Sequence, residues 1–261
     1  MLPLLSQVSS ADMFLVLPFI FLAGLLDSIA GGGGLISLPA YWSMGISPHM
    51  ALGTNKFSSS WGTLFSTGRY LRAGMIDIPV AVCSAVAALL GSWLGARAAL
   101  LASSAFLNYL LIFLIPAITV LTLIKKNIGQ EDKSATLKQG YKFMLAALAG
   151  ISIGFYDGFF GPGTGTLLII IFTVLLKYDF VRANANTKVV NLASNIAAVI
   201  TFAMAGKIYY AIAIPGAVFG IAGNLVGSSL VIKKGNRFIR IIFVTAMLLL
   251  LTRIIIDHVN P

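Results

Sequence analysis

Long apolar runs separated by short polar connectors make up most of the chain. A helix of about 20 apolar residues crosses a hydrocarbon core of about 30 Å, so the pattern predicts membrane-spanning helices. Ten segments are predicted, and the second and seventh are too short to cross, which indicates half-helices or re-entrant pieces. The segments cover residues 12–30, 34–45, 48–73, 76–101, 104–124, 141–160, 164–177, 180–205, 208–232 and 238–256.

Composition places the chain in lipid. Of its 261 residues, 58% are hydrophobic and 10% are charged, whereas a soluble domain carries about 25% charged residues. The interior of a soluble fold could not bury so much apolar surface. We therefore expect an all-α polytopic membrane protein embedded in the lipid bilayer.

The excess of basic residues predicts the membrane topology and does not indicate a nucleic-acid partner. Eighteen Lys and Arg residues against eight Asp and Glu leave a net charge of +10, and most basic residues lie in connectors. Connectors 125–142 and 233–240 are predicted to be cytoplasmic by their Lys and Arg content, which puts both termini outside the cytoplasm. Two histidines and one cysteine indicate no metal site, and no cofactor is predicted.

The second half of the chain repeats the first. Gly24–Gly31 resembles Gly154–Gly161, 130 positions later, and after a two-residue slip an offset of 132 pairs Lys56 with Lys188. Each half has an odd number of spans, so the halves are expected to be inverted, a plan of secondary transporters with a mid-membrane site between repeats. The predicted division is 1–124 (first repeat), 125–140 (cytoplasmic linker) and 141–261 (second repeat).

Glycine breaks occupy matching places in the two halves, at 31–34 and 161–165. Consecutive glycines disfavour a helix, and broken backbone at membrane depth needs protein or a watery cavity around it. Short helices beginning near Leu35 and Thr166 would present free N–H groups that suit an anion. The alternative is close helix packing. The backbone candidates for substrate binding are Gly33, Gly34, Gly163 and Gly165.

Two lysines are predicted at mid-membrane depth. Ser47 and Asp179 are expected helix N-caps, and Lys56 and Lys188 each follow nine residues later. That distance is about 13–14 Å along a helix. An unpaired charge there costs at least about 2.5–3.5 kcal/mol, so each lysine requires a counter-charge, a cavity or a function.

Polar residues accompany these lysines. Helical spacing puts Ser59 on the face of Lys56 and puts Asn191 and Asn195 on the face of Lys188. The predicted substrate-binding side chains are Lys56, Lys188, Asn55, Ser59, Asn191 and Asn195. Asp27 and Asp157 are predicted as counter-charges or proton carriers. The alternative is that the lysines serve only to pair with these two aspartates.

Other features are predicted to be structural. Gly91-x-x-x-Gly95 and Gly223-x-x-x-Gly227 are typical of close helix–helix contacts. Aromatic residues near segment ends are interpreted as anchors at the membrane interface: Trp42, Tyr70, Tyr178, Tyr209 and Tyr210.

Three strings resemble a known family: Gly24–Gly34, Ala51–Lys56 and Gly154–Pro162. They are similar to the TauE/SafE sulfite exporters, also called the toluene-sulfonate uptake permeases, and especially to bacterial inner-membrane members described as probable transporters. The resemblance implies transport, with export favoured, of a small sulfur-containing oxyanion such as sulfite or an organosulfonate. It also implies a multi-pass protein of the bacterial plasma membrane. Whether copies assemble into a homo-oligomer stays open.

Other functions are weighed against this one. A channel-like anion pathway without alternating access is the main alternative. An intramembrane enzyme is disfavoured, because the sequence has neither a His/Glu metal motif nor a Ser/His pair at membrane depth. A non-transporting scaffold would leave the two deep lysines unexplained.

Overall fold

The computed structural model describes residues 10–107, 109 and 129–259 of the chain. Within these ranges the regular structure is helical, with no β-strand. A 3-10 helix, Ser134–Thr136, lies in the connector between the halves. The α-helices are α1 (Ser10–Ala30), α2 (Gly34–Trp42), α3 (Pro48–Arg72), α4 (Ile78–Leu101), α5 (Gln139–Phe159), α6 (Thr164–Val174), α7 (Phe180–Met204) and α8 (Tyr210–Val259).

The helices match the predicted segments closely and confirm the all-α polytopic class. α8 joins the last two predicted segments and is interrupted at Gly235, where φ is 68° and ψ is −160°. Predicted segment 104–124 lies mostly outside the described residues, as do both termini. Within the described ranges, four stretches are long and apolar enough to cross a membrane: Ile78–Leu101, Gln139–Phe159, Phe180–Met204 and Tyr210–Gly235.

The two short helices lie where the glycine breaks predict them. α2 has 9 residues and α6 has 11, which makes them about 14 and 17 Å long at 1.5 Å per residue. Neither is long enough to cross a hydrocarbon core of about 30 Å. Both therefore end within the depth of the bundle, as expected from the sequence.

Side-chain caps begin the two central helices, α3 and α7. The Ser47 hydroxyl accepts a hydrogen bond from the N–H of Met50 at 3.4 Å. The Asp179 carboxylate accepts one from the N–H of Arg182 at 2.7 Å. Both predicted N-caps are confirmed, and they set the same distance from cap to lysine in each half.

Glycines allow the closest helix contacts. A Cβ atom on Gly91 of α4 would collide with the carbonyl oxygen of Ile151 on α5. A Cβ atom on Gly223 of α8 would likewise collide with the carbonyl oxygen of Phe21 on α1. The packing role of both glycine motifs is confirmed. The close contacts thus join α4 to α5 and α8 to α1.

The outward side of α4 is apolar. Its residues at every fourth position are at least half exposed, and together they form one stripe along the helix. A stripe of this kind suits contact with lipid chains and would be costly in water. The residues are Ile78, Val82, Val86 and Leu90.

Three of the predicted interface aromatics are buried: Tyr70, Tyr178 and Tyr209. Tyr70 and Tyr178 are fully buried. The Tyr70 hydroxyl donates to the carbonyl oxygen of Ser28 at 2.8 Å, and that of Tyr178 donates to the Asp77 carboxylate at 2.6 Å. The interface prediction is wrong for Tyr70 and Tyr178, because each hydroxyl donates to an acceptor on another segment.

Candidate functional site

Two lysine–carboxylate pairs connect the halves at the centre of the bundle. Lys56 Nζ lies 2.6 Å from Asp157 Oδ1, and both side chains are 3% exposed. Lys188 Nζ lies 2.9 Å from Asp27 Oδ2, with side-chain exposures of 0% and 14%. Each lysine thus pairs with the aspartate of the opposite half. The predicted role of Asp27 and Asp157 as counter-charges therefore agrees with the structure, and substrate binding by the two lysines stays a prediction.

The first group of contacts, called here the Asp157 cluster, consists of Asp157, Lys56, Asn191, Ser194 and Asn195. Lys56 Nζ also donates to Asn195 Oδ1 at 3.2 Å, and Asn195 Nδ2 donates to Asn191 Oδ1 at 3.3 Å. The Ser194 hydroxyl donates to Asp157 Oδ2. Both carboxylate oxygens of Asp157 therefore have partners, and the cluster is closed by its own hydrogen bonds.

The second group, called here the Asp27 cluster, consists of Asp27, Lys188, Ser37, Asn55 and Ser59. Lys188 donates to both the carboxylate and the backbone carbonyl oxygen of Asp27. Asn55 Oδ1 accepts hydrogen bonds from Ser37 Oγ at 2.6 Å and from Ser59 Oγ at 3.5 Å. Ser59 also lines a cavity beside Asp27.

Ser59 lies one helical turn from Lys56 on α3, as predicted, yet the two side chains contact different partners. Ser59 lies with Asn55 in the Asp27 cluster, while Lys56 reaches the Asp157 cluster. Successive residues of a helix are turned by about 100°, and α3 lies between the two clusters. One helix therefore supplies both.

The cavity beside Asp27 is small and polar on one side. Its volume open to the centre of a water molecule is 20 Å³, about enough for one water. The polar residues that line it are Asp27, Ser37, Ser58, Ser59 and Asn224, and its backbone lining includes Gly33.

Asn224 is a site residue that sequence reasoning missed. It is 2% exposed, and its Nδ2 donates to the carbonyl oxygen of Gly220 at 3.0 Å. Among the described residues, its Oδ1 has no hydrogen-bond partner. The available signal was a lone asparagine within the apolar run 208–232, where a buried amide requires a partner or a function.

The two glycine breaks contact each other. The N–H of Thr166 donates to the carbonyl oxygen of Gly31 at 3.2 Å. The Thr166 hydroxyl donates to the carbonyl oxygen of Ala30 at 3.0 Å. A Cβ atom on Gly165 would lie 2.5 Å from the Cα atom of Gly31. Bare backbone at both positions therefore lets the halves meet.

Each break also borders one lysine–carboxylate pair. A Cβ atom on Gly33 would lie 2.6 Å from the Cβ atom of Asp27. A Cβ atom on Gly161, where φ is +99°, would lie 2.9 Å from Lys56 Nζ. The lysine–carboxylate pairs and the glycine breaks, which were predicted separately, thus form one connected region.

The first N–H groups of the short helices are less free than expected. The N–H of Leu35 donates to the carbonyl oxygen of Gly32 at 3.1 Å, and that of Thr166 donates to Gly31. The expectation of free donors at Leu35 and Thr166 is wrong, because local and cross-half carbonyls bind them. Gly34, Gly163 and Gly165 lie at the two helix starts and remain backbone candidates.

Comparison with known proteins decides the family. The sequence profile described as "Sulfite exporter TauE/SafE" matches residues 16–254. The chain belongs to the TauE/SafE family. Membership identifies it with a family of membrane transporters, in agreement with the resemblance noted in the sequence.

Several relatives are similar over most of their length. "Probable membrane transporter protein YfcA" of Escherichia coli strain K12 is 34% identical over 87% of this chain and 84% of its own. "Probable membrane transporter protein ORF9" of Sinorhizobium sp is 34% identical over 92% and 91%. A "Probable membrane transporter protein" of Haemophilus influenzae is 34% identical over 91% and 92%. No solved structure matches the chain significantly.

Proposed function

We propose that this TauE/SafE protein is a secondary transporter that exports a small sulfur-containing oxyanion, such as sulfite or an organosulfonate, across the bacterial inner membrane. The observation that carries the proposal is the pair of membrane-buried lysines, Lys56 and Lys188, each held by a carboxylate of the other half. Buried charge at such depth is costly and marks functional positions in membrane proteins.

An oxyanion can take the place of a carboxylate at either lysine. The ammonium groups already bind the oxygen atoms of Asp157 and Asp27, and sulfite or sulfonate oxygens offer the same kind of acceptor. Exchanging one anionic group for another keeps the lysine charge compensated, so the exchange avoids the cost of an isolated buried charge. Asn55, Ser59, Asn191 and Asn195 would supply hydrogen bonds, and the starts of α2 and α6 would add their dipoles.

The arrangement of the helices supports alternating access. We assign residues 1–124 and 141–261 to two inverted repeats, joined by a cytoplasmic linker at 125–140, with both termini outside the cytoplasm. α4 packs on α5, and α8 packs on α1. Since α8 is the proposed repeat equivalent of α4 and α1 that of α5, the two contacts are related in the way that a two-fold axis requires. Rocking of one repeat against the other would expose the site to each side in turn.

Ligand-dependent melting tests the binding part of the proposal. The detergent-solubilised protein is melted with sulfite, sulfoacetate or methanesulfonate, with chloride as the reference anion. At least one oxyanion is expected to raise the melting temperature through binding to the folded state. Lys56→Gln and Lys188→Gln should lose that rise, whereas the exposed Lys207 gives the control variant Lys207→Gln, which should keep it. Equal rises in all four proteins would contradict the site.

A further inference from the structure

The two buried aspartates are equivalent in the repeat and yet differ in their surroundings. Asp157 has partners on both carboxylate oxygens, Lys56 on one and Ser194 on the other. Asp27 binds Lys188 through Oδ2, and no donor among the described residues reaches its Oδ1. Its side chain is 14% exposed and lines the cavity.

A single position accounts for this difference. The repeat equivalent of Ser194, 132 residues earlier, is Gly62, so the hydroxyl that binds Asp157 has no counterpart at Asp27. A Cβ atom on Gly62 would collide with the Asn224 amide, which occupies that side of the cavity. The first half thus has a buried carboxamide where the second half has a hydroxyl donor.

The groups without partners in this cavity are hydrogen-bond acceptors. Asn224 Oδ1 is buried and unpartnered within the described part of the chain, and Asp27 lines the same cavity. The neighbouring hydroxyls already use their protons, because Ser37 donates to Asn55 and Ser58 donates to the carbonyl oxygen of Thr54. Buried acceptors require donors, so the cavity suits a proton rather than a second anion.

In the described part of the chain, the ionisable groups around Asp27 come from two helices. α7 contributes Lys188, and α3 contributes Lys56 and Tyr70 at longer range. α6 has no ionisable residue, and α2 has only Tyr41, whose hydroxyl donates to Ser58. In the described side chains of α8, the ionisable groups are Tyr210, Lys233 and Lys234. The lysines lie more than two turns beyond Asn224, and Tyr210 nearly four turns before it.

We propose that Asp27 takes up one proton for each monovalent anion that binds, whereas Asp157 stays ionised beside Lys56. This inference rests on the proposed transport function. Before binding, the Asp27 carboxylate and the Lys188 ammonium sum to zero charge. A proton from water then binds Asp27 Oδ1, and the new O–H group donates to Asn224 Oδ1, directly or through one water. Lys188 keeps its proton and pairs with the incoming anion, so the loaded site is again neutral and transport is electroneutral symport.

An infrared titration of the purified protein tests the proton site without any anion. A carbonyl band of a protonated carboxylic acid is expected to grow as the pH is lowered. The difference between the wild-type and Asp27→Asn spectra should contain this band, since the other Asp and Glu residues contribute equally to both, and the same band should persist in Asp157→Asn. Loss of the band in Asp157→Asn alone, or no difference between the wild type and Asp27→Asn, would overturn the proposal.

A second variant keeps the test decisive if Asp27→Asn does not fold. Asn224→Leu removes the acceptor for the new O–H group, so the midpoint of the titration should move about half to one pH unit lower, the equivalent of one hydrogen bond. Ser92→Ala, at the repeat equivalent of Asn224, should leave the midpoint unchanged. An unchanged midpoint in Asn224→Leu would overturn the role of this residue.

Anion addition then separates the proton site from the transport function. Methanesulfonate stays ionised near neutral pH, so any proton taken up on its binding belongs to the protein. Binding that raises the Asp27 band supports the coupling, and binding that leaves the band unchanged overturns it. If the Asp27 band titrates but no anion shifts the melting temperature, the proton site stands and the proposed transport function fails. In proteoliposomes, one proton should accompany each methanesulfonate, with no dependence on a clamped membrane potential.

Discussion

Lys56 and Asp157 lie 101 residues apart in sequence, and their charged groups are 2.6 Å apart in the interior of the protein. The lysine belongs to α3 and the aspartate to α5, so the contact joins the two halves. The repeat-equivalent pair, Lys188 and Asp27, also joins the two halves. Here the lysine belongs to the second half and the aspartate to the first.

Breaking the Lys56–Asp157 pair is expected to destabilise the protein strongly. Lys56→Met or Asp157→Asn alone leaves an uncompensated buried charge, which costs about 3–5 kcal/mol. The double variant should melt closer to the wild type than the sum of the single effects predicts.

Thermal melting of the four proteins in detergent measures this coupling. The exposed pair Lys133–Glu131, whose groups are 3.2 Å apart with side chains 66% and 74% exposed, is the matched control. Its single substitutions should change stability by about 0–1 kcal/mol. If the losses of stability in Lys56→Met and Asp157→Asn simply add in the double variant, the two charges contribute independently and the prediction is contradicted.

Gly91 is expected to tolerate no side chain. In Gly91→Ala the new methyl group meets the carbonyl oxygen of Ile151, and separating α4 from α5 should cost about 1–3 kcal/mol. Gly68, with nothing within 4 Å in the described part of the chain, gives the control variant. Gly68→Ala should leave the melting temperature unchanged or raise it, since alanine favours a helix over glycine. A Gly91→Ala protein that melts like the wild type would contradict the packing assigned to this motif.

The glycine motifs and helix caps show how far the sequence could predict the fold. Local chemistry specifies where α3 and α7 begin, because the Ser47 and Asp179 side chains bind N–H groups three residues away. The spacing Gly91-x-x-x-Gly95 likewise identifies a contact face. These features depend on residues close together in the sequence, so the sequence pattern alone predicts them.

Tertiary contacts were harder to predict. Lys56 could have paired with either aspartate, and only the packing of both α3 and α5 against α7 determines that its partner is Asp157. Asn224 faces the Asp27 cavity because α8 packs on α1 and because residue 62 is a glycine. Tyr70 looked like an interface residue by position, yet it binds Ser28 in the interior. Each of these depends on residues more than 40 positions away.

The proposed inverted orientation of the two repeats predicts that equivalent turns lie on opposite sides of the membrane. Ala73 and Ala205 are both exposed residues that end α3 and α7, 132 positions apart. In a Cys83→Ser background, a cysteine replacing Ala73 should react with an impermeant maleimide only from the cytoplasmic side. A cysteine replacing Ala205 should react only from the opposite side. Labelling of both from the same side would contradict the inverted repeat.

Anion flux into proteoliposomes tests the central claim most directly. The wild-type protein is expected to transport sulfite or methanesulfonate with saturation and with counter-transport, which a channel-like pathway would lack. Lys56→Gln and Lys188→Gln should each reduce flux by about 10- to 100-fold, because a charge-assisted hydrogen bond contributes about 1.5–3 kcal/mol. Lys207→Gln should transport like the wild type, and melting confirms that each variant is folded. Undiminished flux in both folded lysine variants would contradict the account.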